Sequence, residues 1–378
     1  MSVLIICEKP SVAKTVALAL GAAEQKDGYL SGDGLLVSWC IGHLISMADA
    51  GSYDERYKKW RYEDLPILPQ TWKYAPTPGK EKQLAVLKEL LHRSDVSEVV
   101  NGCDAGREGE LIFRFVYEQT GCTKPFSRLW ISSMEDSAIR EGFDGRRAGT
   151  EYDALYQSAL CRARADWLVG INATRLFSVL YHKTLNVGRV LSPTLNLLVE
   201  RDGKITMFHK EKYHIVHIGY FGVDAESERI SDAAAADALK TACEASQAVC
   251  VSLKKEKKTA LPPKLFDLTL LQREANRVYG FTAKQTLDYA QSLYEKRYLT
   301  YPRTDSNYLT EDMAQTATDL VAALMPVLPF MQGAELTPEI GRVINSAKVS
   351  DHHAIIPTAA FAGSGFDGLP ESEKKLMS

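Results

Sequence analysis

Val99-Val100-Asn101-Gly102-Cys103-Asp104-Ala105-Gly106-Arg107-Glu108-Gly109-Glu110-Leu111-Ile112-Phe113 passes from an apolar run through an acidic loop into an amphipathic segment. The apolar start suits a strand buried on both faces of a parallel sheet. The segment from Leu111 to Gln119 suits a helix closed near Gly121. Asp104, Glu108 and Glu110 bring three carboxylates within seven positions, with Arg107 among them. Anions so concentrated raise one another's pKa unless a cation joins them. Hard oxygen donors with few protein contacts suit Mg²⁺, which keeps several waters. The same carboxylates would also suit the positive end of a helix dipole.

A second unit of this kind opens the chain. Val3-Leu4-Ile5-Ile6-Cys7 reads as another buried strand and ends at Glu8-Lys9-Pro10-Ser11. A helix follows, with Val12, Val16, Leu18 and Leu20 on it and Gly21 at its end. A carboxylate and an ammonium therefore sit at the carboxyl end of a strand, where open α/β sheets place ligands. Phe126 to Ile131 reads as a further strand and Met134 to Phe143 as a helix, so residues 1–150 form an α/β domain.

Tyr301-Pro302-Arg303-Thr304-Asp305-Ser306 sets a phenol two residues from a guanidinium. A tyrosine becomes a useful nucleophile only when something takes its proton. An arginine fork matches phosphate oxygens. From Ser252 to Arg303 there are eleven Lys and Arg against five Asp and Glu, although the whole chain carries a net charge of −3. That local excess would neutralise phosphates. Lys254, Lys255, Lys257 and Lys258 read instead as a solvated face.

The remaining chain divides by pattern. Residues 151–210 are helical, with Leu155, Leu160, Trp167, Leu168 and Ile171 at helical spacing and Arg162 one turn from Asp166. In residues 211–263, Tyr213 to Tyr220 and Ala248 to Leu253 are strand candidates, with an Ala-rich helix from Asp232 to Cys243 between them. Leu261-Pro262-Pro263 breaks the chain. Residues 264–378 begin with two amphipathic helices, Leu265 to Tyr279 and Thr282 to Tyr294, separated by Gly280.

Taken in order, these segments resemble the type IA DNA topoisomerases, and among them the bacterial topoisomerase III branch. Glu8-Lys9-Pro10-Ser11 and Asp104-Ala105-Gly106-Arg107-Glu108-Gly109-Glu110 are similar to the two motifs of the Toprim domain. Gly188-Arg189-Val190-Leu191-Ser192-Pro193-Thr194-Leu195, the Tyr301 motif and His352-His353-Ala354-Ile355-Ile356-Pro357-Thr358 resemble three further family signatures. The resemblance implies a Toprim domain with a Rossmann-like parallel sheet, followed by helical and β-hinge domains of an incomplete type IA toroid. It implies Tyr301 as nucleophile, Arg303 and Lys9 stabilising the phosphate, and Glu8 exchanging a proton with the leaving 3′ oxygen. It implies Mg²⁺ on Glu8, Asp104 and Glu108. The general pattern has a second Asp where this chain has Gly106, which argues for one metal ion rather than two. Arg162, Asp166, Arg189, Ser192, Thr194, Asp305, Ser306 and His352 are the implied contacts to DNA.

The expected reaction is reversible cleavage of single-stranded or negatively supercoiled DNA through a 5′-phosphotyrosine. The bond to tyrosine would conserve the phosphodiester's energy, and no Gly-x-x-x-x-Gly-Lys-Ser/Thr segment offers an ATP site. In the family the chain continues beyond a point matching Ser378, so a truncated form that binds single strands without cutting them is a second reading. A Toprim nuclease or primase is a third, disfavoured by the Tyr301 motif. Seven cysteines with no Cys-x-x-Cys pair argue against a zinc ribbon or a disulfide framework. With no signal-peptide pattern and no apolar run of the roughly 20 residues a membrane helix needs, a cytoplasmic monomer is expected.

Overall fold

The computed structural model describes residues 1–131, 134, 136–220, 222–247, 249–331, 333, 338–349 and 352–378. Strand β1 (Ser2–Cys7) lies at the centre of a seven-stranded sheet. Its neighbours are β2 (Glu24–Lys26), β3 (Tyr29–Gly32) and β4 (Leu35–Trp39) on one side. A separate two-stranded sheet pairs β5 (Ile45–Met47) with β6 (Tyr74–Pro76). On the other side of β1 come β7 (Val96–Gly102), β8 (Phe126–Arg128) and β9 (Arg147–Ala148). β1 runs parallel to β4 and β7, and β7 parallel to β8, while the edge strands are antiparallel.

The apolar run in β1 is buried on both faces, as its composition requires. Leu4 and Ile6 pack on one side with Val99, Phe113 and Val116. Ile5 and Cys7 pack on the other with Val100, Val16 and Ile139. The first face is covered by α2 (Glu81–His92) and α3 (Arg107–Gln119), the second by α1 (Pro10–Ala19) and α4 (Asp136–Asp144). Pro10 begins α1, where its missing N–H costs nothing. Strand β8 is shorter than the expected Phe126–Ile131, and α3 opens four residues before Leu111. The expected helix from Met134 is α4; position 135 lies outside the described residues.

Helix α5 (Asp153–Leu180) packs against α3 through Tyr156, Ala159 and Leu160, which meet Leu111 and Phe115. By density of contact, residues 1–187 and 263–378 form one unit and residues 188–262 another. The second unit holds α6 (Leu191–Thr206), the hairpin of β10 (His217–Tyr220) with β11 (Val223–Glu226), and α7 (Ala233–Ala245), whose cap is Asp232. The expected strand from Tyr213 is regular only from His217, with one bridge between His214 and Ile230 before it. The expected strand at Ala248–Leu253 is not found at 249–253, and position 248 lies outside the described residues. Val251 and Leu253 are almost fully exposed, and no described strand pairs with theirs, so a β-like pattern has nothing to bond to.

Residues 263–378 build a core of their own around Leu293, Leu299, Leu320, Ile355 and Phe361. Helix α8 (Leu268–Tyr279) starts at Asp267, whose Oδ1 accepts from Leu270 N at 2.7 Å. It ends at Gly280, whose φ of +71° is the left-handed conformation that glycine adopts freely. A Thr282–Gln285 capping box opens α9 (Ala283–Glu295). Beyond it, Leu299 to Ser306 forms an extended strap, bridged by Leu299 to Pro357. Helices α10 (Ala314–Leu324), α11 (Ala359–Ser364) and α12 (Glu371–Met377) complete this part. No described helix is long and apolar enough to cross a membrane.

Candidate active site

Cys7 and Gly102 are register partners at the carboxyl ends of two adjacent parallel strands. The residues just beyond them, Glu8 with Lys9 and Cys103 with Asp104, therefore emerge side by side. Lys9 Nζ lies 3.3 Å from Glu8 Oε1 and 3.3 Å from Asp104 Oδ2. The loop carrying Asp104 is held from behind. Arg128, fully buried, donates through Nη1 to the carbonyls of Asn101 (2.9 Å), Cys103 (2.7 Å) and Leu129 (2.9 Å). Its Nη2 donates to Asp104 O at 2.7 Å. Gly109 closes the loop from the helix side. A Cβ there would stand 2.2 Å from Asp104 O, a distance no side chain tolerates.

Glu110 does not join this cluster. On the first turn of α3 it is wholly buried, and its carboxylate meets Asn101 Nδ2 at 2.8 Å, Arg114 Nε at 2.9 Å and Arg128 Nε at 3.2 Å. The third carboxylate of the acidic loop is thus an anchor for the arginine that braces Asp104. A buried acid so paired is costly to disturb because each partner's desolvation is already committed.

The strap delivers the phenol. Tyr301 Oη donates to Asp104 Oδ2 at 3.0 Å, the oxygen that Lys9 also reaches. Thr300 fixes the strap by donating N–H to Ile356 O and accepting from Ile356 N through Oγ1. Thr304 Oγ1 donates to His352 O at 2.8 Å, tying the strap to the histidine segment. The His352 ring lies 4.3 Å from the Tyr301 ring, and Tyr294 meets Tyr301 edge-on at 5.3 Å.

A cleft of about 650 Å³ opens over these groups. It is lined by Glu8, Lys9, Asp104, Glu108, Arg162, Asp166, Tyr301, Arg303 and His352, all expected from sequence. Ser306 is buried instead, donating to Lys348 O at 2.9 Å. Asp305 is exposed and does not line the cleft. Arg189, Ser192 and Thr194 belong to the second unit. There Ser192 Oγ accepts from Gly188 N, and Thr194 Oγ1 donates to Val190 O at 2.7 Å.

The charges set the protonation states. Burial, then Asp104, pushes the Tyr301 phenol above its usual range, while Arg303 pulls it down. Burial and the Asp104 charge raise Glu8, against the opposing pull of Lys9. Burial opposes the Lys9 ammonium, but Asp104 and Glu8 together raise it. Burial pushes His352 down to about 4, so its imidazole is neutral near pH 7. Glu108 is lowered by its hydrogen bond with His43, whose Nε2 lies 2.5 Å from Oε1.

Two carboxylates share one lysine, and Glu8 is raised first by burial and then by the Asp104 charge beside it. That donor set fits a divalent cation with hard-oxygen preference. Among the described residues no group of three or more His, Cys, Asp or Glu side chains is gathered for a metal. Glu8 and Asp104 are together, and Glu108 is engaged by His43. Sequence reasoning passed over His43, although it follows β4 at the same sheet edge as Glu8. Applying the strand-end rule to β4 would have found it. The Arg128–Glu110 brace gave no such signal, because nothing in a lone arginine shows which carbonyls it will meet.

A family model described as DNA topoisomerase matches residues 150–378, and one described as the Toprim domain matches residues 3–134. DNA topoisomerase 3 of Bacillus licheniformis is 41% identical over 386 residues, which is 99% of this chain and 53% of that protein. DNA topoisomerase 3 of Bacillus subtilis is 42% identical over 368 residues, 94% of this chain and 50% of that protein. The solved structure of full-length topoisomerase I from Thermotoga maritima matches 99% of this chain and 58% of its own, with a TM-score of 0.67 and 26% identity. The chain spans about half the length of the curated relatives it matches.

Proposed function

The chain belongs to the type IA DNA topoisomerases, and on that premise we propose that it cleaves and rejoins single-stranded DNA through Tyr301. The observation that carries this reading is the hydrogen bond from Tyr301 Oη to Asp104, with Lys9 joining Asp104 to Glu8. Tyr301 Oη attacks a backbone phosphorus as its proton passes to Asp104. The P–O3′ bond breaks, the phosphorus stays on tyrosine as the 5′ phosphate, and Glu8 protonates the leaving 3′ oxygen. A carboxyl raised by burial is suited to that task. Arg303 and Lys9 steady the charge that builds on the phosphoryl oxygens, commonly the largest contribution at such a site. Mg²⁺ held by Glu8 and Asp104, with Glu108 in the same cleft, would supply positive charge against the DNA phosphates when bound. His352, neutral, packs the Tyr301 ring and offers a hydrogen bond to phosphate. Arg162 and Asp166 flank the DNA path, and Arg189, Ser192, Thr194 and Asp305 serve its binding, while the buried Ser306 holds the strap rather than DNA.

On the same reading the proposed activity is ATP-independent strand passage, relaxing negative supercoils or unlinking DNA, by a cytoplasmic monomer. The proposed domains are Toprim at 1–150, part of a helical domain at 151–210, the first half of a β-rich hinge at 211–263 and a nucleophile-bearing helical domain at 264–378. The test is covalent trapping. The chain is mixed with a labelled single-stranded oligonucleotide, quenched in detergent and resolved on a denaturing gel beside Tyr301→Phe. A protease-sensitive shifted band, missing from the variant, is expected. Binding without that band in the wild type would leave a single-strand-binding remnant.

A further inference from the structure

The Tyr301 ring is held by a neighbour that the proposed reaction does not use. Tyr294, on the last turn of α9, meets it edge-on at 5.3 Å with the ring planes 75° apart. In such a pair the positive edge of one ring lies against the negative face of the other, which favours one mutual placement over sliding or tilting. Tyr294 is 6% exposed, and burial, followed by the Asp104 charge, raises its phenol, so it stays uncharged near pH 7. A tilt of the Tyr301 ring would carry its Oη away from Asp104, which it meets at 3.0 Å.

The turn that carries Tyr294 is fixed in its own right. Ser292 and Lys296 lie one helical turn apart, on either side of Tyr294 in sequence, and both bond to Glu373 on the first turn of α12. Ser292 Oγ donates to Oε1 at 2.7 Å and Lys296 Nζ to Oε2 at 2.5 Å. Glu373 is 5% exposed, so both oxygens of a buried carboxylate are committed to the end of α9. An exposed pair of this kind would hold little, whereas a buried carboxylate stripped of a partner is costly. Helix α12, seven residues long, is too short to stand alone and is seated by Met377 in the core around Leu293. Neither Tyr294 nor Glu373 is among the described residues lining the cleft, so any influence on the reaction passes through Tyr301. With Tyr301 read as the nucleophile, as above, we propose that Glu373, the end of α9 and Tyr294 form a prop that sets the position of the Tyr301 ring. Tyr294 and Glu373 are then positioning residues, and the prop reaches the chemistry from a helix that touches no reacting atom.

Rapid-quench adduct formation on a saturating single-stranded oligonucleotide gives the rate, and fluorescence anisotropy gives the affinity. Tyr294→Leu removes the ring edge and should slow the adduct about tenfold, the upper range for one edge-to-face contact, with affinity unchanged. Tyr294→Phe keeps the edge and should stay within about twofold of wild type. Glu373→Gln should slow the adduct by about three- to tenfold, again at unchanged affinity. A fluorotyrosine in place of Tyr301 reports on the ring by fluorine NMR without DNA. Glu373 bonds Ser292 and Lys296 rather than either ring, so a shifted fluorine signal in Glu373→Gln reads movement of the Tyr301 ring itself. A residue that only stabilised the fold would lower the melting temperature and leave the saturating rate and the fluorine signal where they are. Should Tyr294→Leu fail to fold, Ser292→Ala joins Glu373→Gln, each loosening the prop at one bond. An unmoved fluorine signal in Glu373→Gln, or a Tyr294→Leu rate within about twofold of wild type, overturns the proposal. So does an equal fall in Tyr294→Phe and Tyr294→Leu, which would assign the effect to the hydroxyl. A wild-type chain that binds the oligonucleotide without forming an adduct counts against the Tyr301 reading instead, and the fluorine signal then decides the prop alone.

Discussion

Replacing Gly109 by alanine should separate stability from chemistry, and the size of the effect follows from one contact. The added Cβ would stand 2.2 Å from Asp104 O, 3.0 Å from Asp104 N and 3.1 Å from Asp104 C. Ordinary van der Waals contact begins near 3.4 Å, so the Asp104 backbone must retreat by roughly 1 Å or α3 must shift against the sheet. Overpacking of this kind costs about 1–3 kcal/mol. The catalytic loss should be larger, because Asp104 accepts from Tyr301 across 3.0 Å and shares that oxygen with Lys9. A displacement of about 1 Å at a reacting group commonly costs on the order of 100-fold in rate. Covalent-adduct formation on a single-stranded oligonucleotide, followed by rapid quench, gives the rate. A urea melt gives the stability. Gly363→Ala in α11 is the control, since nothing lies within 4 Å of its added methyl and alanine favours helix. An adduct rate for Gly109→Ala within about twofold of wild type would refute the claim that this glycine sets the position of Asp104.

Other expectations follow from the same geometry. Arg128→Met strips the Glu110 carboxylate of one partner and the Cys103–Asp104 carbonyls of their donor. It should cost about 3–5 kcal/mol in chemical denaturation, and pairing it with Glu110→Met should recover part of that loss. His352 is held near a pKa of about 4 when folded, against about 6.5 in the unfolded chain. Its folded value is depressed, so the unfolded chain binds the proton more readily. The stability it contributes is full above about pH 6.5 and declines as pH falls toward about 4, by roughly 3 kcal/mol at most. His352→Gln should flatten that part of a urea-midpoint profile. Lys9→Met leaves Glu8 and Asp104 facing each other without the ammonium. Their mutual repulsion should then strengthen Mg²⁺ binding in calorimetry while adduct formation falls; unchanged Mg²⁺ affinity would show that the two carboxylates do not form the metal site.

The α/β half was legible because its signals are local and redundant. An apolar run such as Val3–Cys7 has few environments open to it, and Gly21, Gly121 and Gly280 mark helix ends by conformations few other residues adopt. Tyr301, Glu8 and Asp104 could be paired from motifs alone, though not their hydrogen bond or the sharing of Lys9. Glu110 was grouped with Asp104 and Glu108 as one acidic cluster, though not among the three metal ligands, and its separate place as a buried anchor could not be read from spacing. Its burial is decided by β7 and β8, whose packing no local pattern reveals. The alternating stretch at Val249–Leu253 has the composition of a strand, but strands exist only in pairs, and the partner is a property of the whole fold. His43 escaped notice for a related reason. A single histidine after a short strand carries no motif and gains meaning only from Glu108 across the cleft.

The hydrogen bond between Tyr301 and Asp104 makes the nucleophile a latent one. Buried beside an anion, the phenol keeps its proton, so an idle molecule presents no phenolate to stray electrophiles. Under the proposed chemistry, an incoming phosphate brings its own charge and recruits Arg303 and Lys9, and only then does transfer to Asp104 become downhill. That proton remains one bond away from the tyrosyl oxygen throughout. When the 3′ hydroxyl returns, the departing tyrosine recovers it at once, without exchange with solvent. Reversibility would thus be written into a single contact: the group that holds the reaction off beforehand is the one that lets it run backward.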